Sequence, residues 1–332
     1  MRVMLALAAI VLLGAGSPIA FDPSPYMHAQ RLVDIGGRHM NMYCTGTGSP
    51  TVILDTDGDD SILGWARVQP SVARHTRVCS YDSAGLGFSD PGPLPRDASA
   101  FANDLHALLA HAGVQPPLVL VGYSLSGMSV RLYADRHPHD VAGMVLVAPN
   151  VPYQHKLIAA AAPALARVFT QTVPFDTTCY TAASRGTMRP GTPAFANCMY
   201  TPPGPPLPAR LRALIRQQWQ RPGTWRNFRS ADEAANAPNA SSAQVIREQR
   251  SYGDMPLIVL TTVKDQMSLP IPEAQRRALV RSWIAVQDRT AALSSRGVNF
   301  VVSNSSQSIP VDQPFAVTSA IDAVVDEARR SR

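Results

Sequence analysis

At 332 residues the chain has room for one large α/β domain with an insertion, or for two domains. Apolar residues make up 45%, an ordinary share for a globular protein. The net charge is +6, but the basic residues are scattered arginines, with lysine only at Lys156 and Lys264, and this excludes a nucleic-acid-binding surface.

The N-terminus has the pattern of an export signal over residues 1–20. Arg2 precedes an apolar run from Val3 to Leu13, and small residues follow from Gly14 to Ser17. The run is too short to cross a bilayer comfortably, so cleavage between Ala15 and Phe21 is expected, with an uncleaved or lipid-adjacent anchor as the alternative. No later stretch is long and apolar enough for a membrane helix. An exported protein, periplasmic or extracellular, follows. The four cysteines, Cys44, Cys79, Cys179 and Cys198, contain no CxxC pair, which argues against zinc, and their even number in an exported chain favours disulfides. Three pairings are open. Cys44–Cys79 with Cys179–Cys198 is preferred because each pair then stays within one region.

Arg31 to Cys44 alternates around Gly36-Gly37 and predicts a hairpin. Short β-rich runs follow at Thr51 to Asp55 and Arg77 to Tyr81. Ala98 to Ala112 has helical spacing, with Phe101, Leu105, Leu108 and Leu109 on one face. Leu118 to Val121 predicts a buried strand, Val130 to Arg136 a helix and Met144 to Val147 another strand, stopped by Pro149. This alternation argues for an α/β protein with a largely parallel sheet covered on both faces. From Asn150 to Asp254 the pattern changes. Prolines cluster at Pro202, Pro203, Pro205, Pro206 and Pro208, and amphipathic stretches run from Ala209 to Gln220 and from Ser242 to Arg250. The expected division is a core at 21–150, an inserted helical cap at 151–254 and a second core part at 255–332. In that second part, Pro256 to Thr261 and Val298 to Val302 read as strands, and Glu273 to Leu293 and Phe315 to Arg329 as helices.

The stretch Leu118-Val119-Leu120-Val121-Gly122-Tyr123-Ser124-Leu125-Ser126-Gly127 reads as a nucleophile elbow, a strand that turns sharply at a serine into a helix. Ser126 stands where GxSxG has its last glycine. Other segments surround it in a fixed order: Gly36-Gly37, Cys44-Thr45-Gly46, Gly48, Pro50-Thr51-Val52, Leu54, the run from Arg77 to Pro93, and Ile309 to Pro314. With these the chain resembles the α/β-hydrolase superfamily, and within it a secreted bacterial branch. The resemblance implies a mostly parallel central sheet covered by helices, with an inserted cap. It also implies that the Cys44 strand lies beside the Cys79 strand, in keeping with the preferred disulfides.

The resemblance places Ser124 as nucleophile. At the histidine position of the family's closing SGHxI pattern this chain has Gln307, within Ser305-Ser306-Gln307-Ser308-Ile309. An amide is not basic near neutral pH and does not take the serine proton. The last histidine of the chain is His155, so no shifted alignment supplies one; His155 itself, beyond the strand ending at Val147, is the best-placed substitute. His75, His106, His111, His137 and His139 are poorly placed. Asp265, after the strand Leu257 to Thr261, is the candidate acid, while the other position at which the branch carries aspartate is Ala148. Backbone N–H groups of Gly58 and Leu125 are the candidate oxyanion donors. Ser83 replaces the arginine expected in the DRAGxG segment. Asp55, Asp57 and Asp59 alternate as in a calcium loop, but the glycine is misplaced and Ala66 stands where the closing glutamate belongs, so the run reads as a solvated acidic loop with no metal, a metal site being the alternative. No cofactor is expected. The reading that follows is a hydrolase-fold protein that has lost ordinary Ser-His-Asp chemistry and binds a small apolar ligand or a partner. The alternative is an active esterase or lipase-like hydrolase acting on an ester ligand through Ser124.

Overall fold

The computed structural model describes residues 21–56, 60–165, 172–199, 201–236 and 240–331, so the expected signal segment lies outside the described residues. Eight strands form one sheet: β1 (Arg31–Asp34), β2 (His39–Thr45), β3 (Thr51–Asp55), β4 (Val78–Tyr81), β5 (Leu118–Tyr123), β6 (Val141–Val147), β7 (Leu257–Thr261) and β8 (Val298–Val301). Their order is β1-β2-β4-β3-β5-β6-β7-β8. The first three strands in this order pair antiparallel, and from β4 onward every pairing is parallel. The helices are α1 (Gln69–Val72), α2 (Ala98–Ala112), α3 (Ser126–Arg136), α4 (Gln154–Ala161), α5 (Thr172–Ser184), α6 (Pro193–Cys198), α7 (Ala209–Trp219), α8 (Pro222–Asn236), α9 (Ser241–Glu248), α10 (Lys264–Met267), α11 (Glu273–Ala291), α12 (Ile309–Asp312) and α13 (Pro314–Arg330).

Alternation along the inner strands decides which helices cover which face. Ile53, Leu118, Leu120, Met144, Leu146, Leu257 and Val259 pack with Leu105, Leu108 and Leu109 of α2 and Val130 of α3. Their neighbours Val52, Leu54, Val119, Val121, Val145, Val147, Ile258 and Leu260 pack with Val72 of α1 and Val317, Ile321 and Val324 of α13. Both faces are therefore buried, which is why these strands read as unbroken apolar runs. Helix α2 begins at the N-cap Asp97, whose side chain accepts from Ala100 N–H, and ends at Gly113 in the left-handed region.

Cys44 and Cys79 face each other across β2 and β4 and are joined, and Cys179 is joined to Cys198, as preferred from the sequence. Asp82, just after β4, is fully buried. Its carboxylate accepts from Asn41 Nδ2 at 2.8 Å, Ile62 N–H at 2.8 Å and Phe88 N–H at 2.9 Å. Between β6 and β7 the described residues carry six helices, α4 to α9, and no strand. Part of this stretch shares a core with Tyr26, Ile62 and Leu63, in which Trp219, Trp225 and Phe228 meet edge to face beside Leu211, Ile215 and the Cys179–Cys198 bridge. Among the described residues no helix is long and apolar enough to cross a membrane.

Helix α5 packs along α8 and brings Asp176 close to Asp232. Asp176 is fully buried, and burial, reinforced by the neighbouring Asp232 and Glu233 carboxylates, pushes its carboxyl from 3.8 up to about 7. Between those two values the folded chain holds a proton that the unfolded chain has released. Stability should therefore fall as pH rises through that window. Asp135 and Asp322, each pushed up to about 6 chiefly by burial, add to the same decline. Asp176→Asn is expected to make the decline shallower than in the wild-type protein, measured by urea unfolding at a series of pH values. Parallel declines in the two proteins would show that Asp176 does not hold the proton.

Candidate active site

Ser124 sits at the end of β5, the fifth strand of the eight, where backbone φ reaches +52° before α3 begins at Ser126. Such a φ is costly for a serine and persists only where the surroundings enforce it. A Cβ at Gly122 would lie 2.5 Å from Val130 Cγ2, and one at Gly127 would lie 2.5 Å from Pro149 Cβ. Neither position has space for a side chain. The backbone of Ser124 is fixed on both sides: its N–H donates to Val147 O at 3.0 Å, and its carbonyl accepts from Gly127 N–H at 3.1 Å and Asn150 N–H at 2.8 Å. Ser126, at the position of the usual glycine, turns its hydroxyl back into the strand end. Its Oγ accepts from Tyr123 N–H at 2.8 Å and lies within donating distance of Tyr123 O at 2.8 Å and Asp55 O at 3.0 Å.

Gln307 Nε2 donates to Ser124 Oγ at 2.9 Å. The backbone N–H of Gln307 donates to Asp265 Oδ2 at 2.7 Å. Asp265 lies on α10, directly after β7, and Gln307 on the loop before α12. That loop is held by a local bond and by one from the segment after β7. Asp312 Oδ2 accepts from Ser306 N–H at 2.8 Å, and Thr262 Oγ1 donates to Ser305 O. Ser124, Gln307 and Asp265, singled out separately in the sequence, are thus linked in one chain of hydrogen bonds. Ser124 is buried, whereas Gln307 and Asp265 are exposed.

The other candidate residues fare differently. Leu125 is the first residue of the turn into α3, so its N–H lies at the helix N-terminus, while Gly58, with Asp57 and Asp59, lies outside the described residues. His155 is on α4, and among the described residues no histidine hydrogen-bonds Ser124. Ala148 has a φ of +42° and donates its N–H to Leu260 O at 2.8 Å, so the second acid position carries no carboxylate. Ser83 is buried. Asp55 corrects the solvated-loop expectation: it is 1% exposed at the end of β3 and accepts from Ser129 Oγ at 3.3 Å. Burial and the nearby Asp55 carboxylate hold the Tyr81 phenol well above its usual range. Sequence reasoning missed Ser126 and Ser129 as polar ties between β3, β5 and α3; their only signal was two serines in the first helical turn.

A narrow cavity beside the elbow is lined by Thr56, Arg96, Phe101, Leu125, Met128 and Ala231 among others, with about 10 Å³ of free interior, room for about one water. A roomier groove of about 310 Å³ lies at the sheet edge between β8 and α13, and Ser124, Gln307 and Asp265 are not among its lining residues.

Residues 50–175 match the family described as alpha/beta hydrolase fold. Among solved structures, an Acinetobacter baumannii protein named as a lipase aligns over 92% of this chain and 94% of its own at a TM-score of 0.63 and 15% identity. A haloalkane dehalogenase loop variant from Bradyrhizobium elkanii aligns over 92% and 97% at a TM-score of 0.67 and 14% identity. The chain has the α/β-hydrolase fold. At these identities the likeness concerns fold alone. Among curated proteins, one named as a transporter in Hormonema carpetanum is 29% identical over 143 residues, 40% of this chain and 20% of that protein. The matched segment spans between 20% and 41% of the length of the first curated relatives.

In the hydrolase-fold elbow here the Ser126 hydroxyl accepts from Tyr123 N–H at the end of β5. Ser126→Ala removes the acceptor that Tyr123 N–H uses at 2.8 Å, in a buried turn, and is expected to cost about 1–3 kcal/mol, measured by urea unfolding. An unchanged unfolding midpoint would show that the bond contributes nothing net.

Proposed function

We propose that this α/β-hydrolase-fold protein has lost ordinary Ser-His-Asp chemistry and binds a small apolar ligand or a partner at the elbow. The observation that carries this reading is the Gln307 amide, which donates to Ser124 Oγ at 2.9 Å from the place a general base would occupy. A base must accept the serine proton as the new bond forms, and an amide nitrogen has no available lone pair for it. The direction of the bond matters as well. With an Oγ lone pair engaged by the amide, the Ser124 hydroxyl proton is left to face a ligand acceptor. Asp265 accepts a backbone N–H where a triad acid would orient an imidazole, so it fixes the loop that presents Gln307. Leu125 and Gly58 are the backbone donors for a ligand carbonyl in this reading, and the 151–254 segment is its cap. Two disulfides and the N-terminal apolar run support export to an oxidising compartment.

One observation favours the second reading, a serine hydrolase of carboxylic esters: the elbow keeps Ser124 at a φ of +52°, the strained posture of a working nucleophile. The two readings separate in one experiment. The purified protein is expected not to react with a fluorophosphonate probe and not to hydrolyse short p-nitrophenyl esters. Labelling that disappears in Ser124→Ala would overturn the proposal in favour of the second reading. Gln307→His is expected to create measurable ester hydrolysis, since it restores a base beside Ser124 and near Asp265. If Gln307→His folds and remains inert, the departure from triad chemistry extends beyond the base.

A further inference from the structure

His106, His137 and Asp140 lie far apart in sequence but meet in space. His106 projects from α2, His137 caps the C-terminus of α3, and Asp140 directly precedes β6. One ligand atom from each lies within 4.8 Å of the other two. They gather at the end of the sheet where the parallel strands begin, opposite the end that carries Ser124. The two imidazole rings stack at 4.2 Å with their planes 3° apart. Tyr133 OH donates to Asp140 Oδ2 at 3.2 Å, which orients the carboxylate and leaves its other oxygen available. Asp140 N–H donates to His137 O at 3.1 Å, so a short hydrogen-bonded turn sets the spacing of these two residues. The nearest cation in sequence, Arg136, is directed elsewhere: its guanidinium is held by Glu248 at 2.7 Å and Asn103 at 3.1 Å.

We propose that His106, His137 and Asp140 form a binding site for a zinc-type divalent transition-metal ion that ties α2 to the turn between α3 and β6. These three positions follow no local metal-ligand motif, so their spacing does not predict a metal. The donor set selects the ion. Two imidazoles and one carboxylate suit zinc, nickel or cobalt, whereas calcium and magnesium take oxygen ligands. Three protein ligands leave a fourth position for water, on the side where His106 is exposed. Imidazole lone pairs lie in the ring plane, so the stacked rings must splay for both to reach one ion. His106 is exposed and reorients on the fast timescale of surface side chains. This site is independent of the chemistry at Ser124.

The test uses tag-free, disulfide-intact protein stripped with EDTA and desalted, titrated with zinc alone by calorimetry and followed by thermal unfolding. One equivalent of zinc is expected to bind and to raise the unfolding temperature. Cobalt should give visible absorption bands from an ordered nitrogen–oxygen site. His106→Ala and His137→Ala are each expected to weaken zinc binding by more than about tenfold, and Tyr133→Phe by a smaller factor through the freed Asp140 carboxylate. Absence of saturable binding overturns the proposal, as does equal binding by wild type and His106→Ala, which would mark adventitious metal only. His106 is exposed, so its variant decides the question even if His137→Ala fails to fold, a point checked by circular dichroism.

Discussion

Where β5 gives way to α3, the backbone passes through Ser124 at a φ of +52° with no space for a side chain at Gly122 or Gly127. That passage constrains much around it. The strand must end here, the helix must start here, and Pro149 after β6 must pack against the helix at Gly127. Asn150, beyond that proline, donates back to the Ser124 carbonyl, so the segment leaving β6 is tied to the turn. The Ser126 hydroxyl, reaching Tyr123 N–H and Asp55 O, brings the end of β3 to the same point. Three neighbouring parallel strands thus have their C-terminal ends registered on one turn.

Gln307 is held against this frame by bonds of its own. The loop is placed by Asp312 and Thr262, and the Gln307 backbone is anchored to Asp265. The side chain reaches Ser124 Oγ, yet what it delivers is a neutral donor. A frame of this kind is compatible with either a working site or a binding site, because position and reactivity rest on different atoms.

The inner strands were legible because each buries both faces, which makes Val52 to Leu54, Leu118 to Val121 and Leu257 to Leu260 continuous apolar runs. Strand β6 extends back to Val141, three residues before the apolar run at Met144, because Ala142 and Gly143 carry no strand signal although they lie in the sheet. The amphipathic helices α7 and α9 were legible from their spacing. Gln307 was legible through motif position, since nothing in its composition or periodicity marks it. Asp55 was misread, because an acidic run favours solvent in any local reading, while sheet position and a hydroxyl from α3, 74 residues away, decide its burial. The same limit hides the convergence of His106 with His137 and Asp140, which arises only when α2 packs against α3.

The bridge between Cys44 and Cys79 has a bearing on how the molecule opens. β1 and β2 form an outer hairpin, and hairpins at the edge of a sheet tend to detach as low-energy local units before the centre yields. The covalent tie runs from β2 to β4, which is itself paired with β3. The hairpin is thereby joined to the cooperative unit at the middle of the sheet. Its amide protons should exchange with solvent on the schedule of global unfolding while the bridge is intact, and the margin of the sheet beside β2 inherits the persistence of its centre.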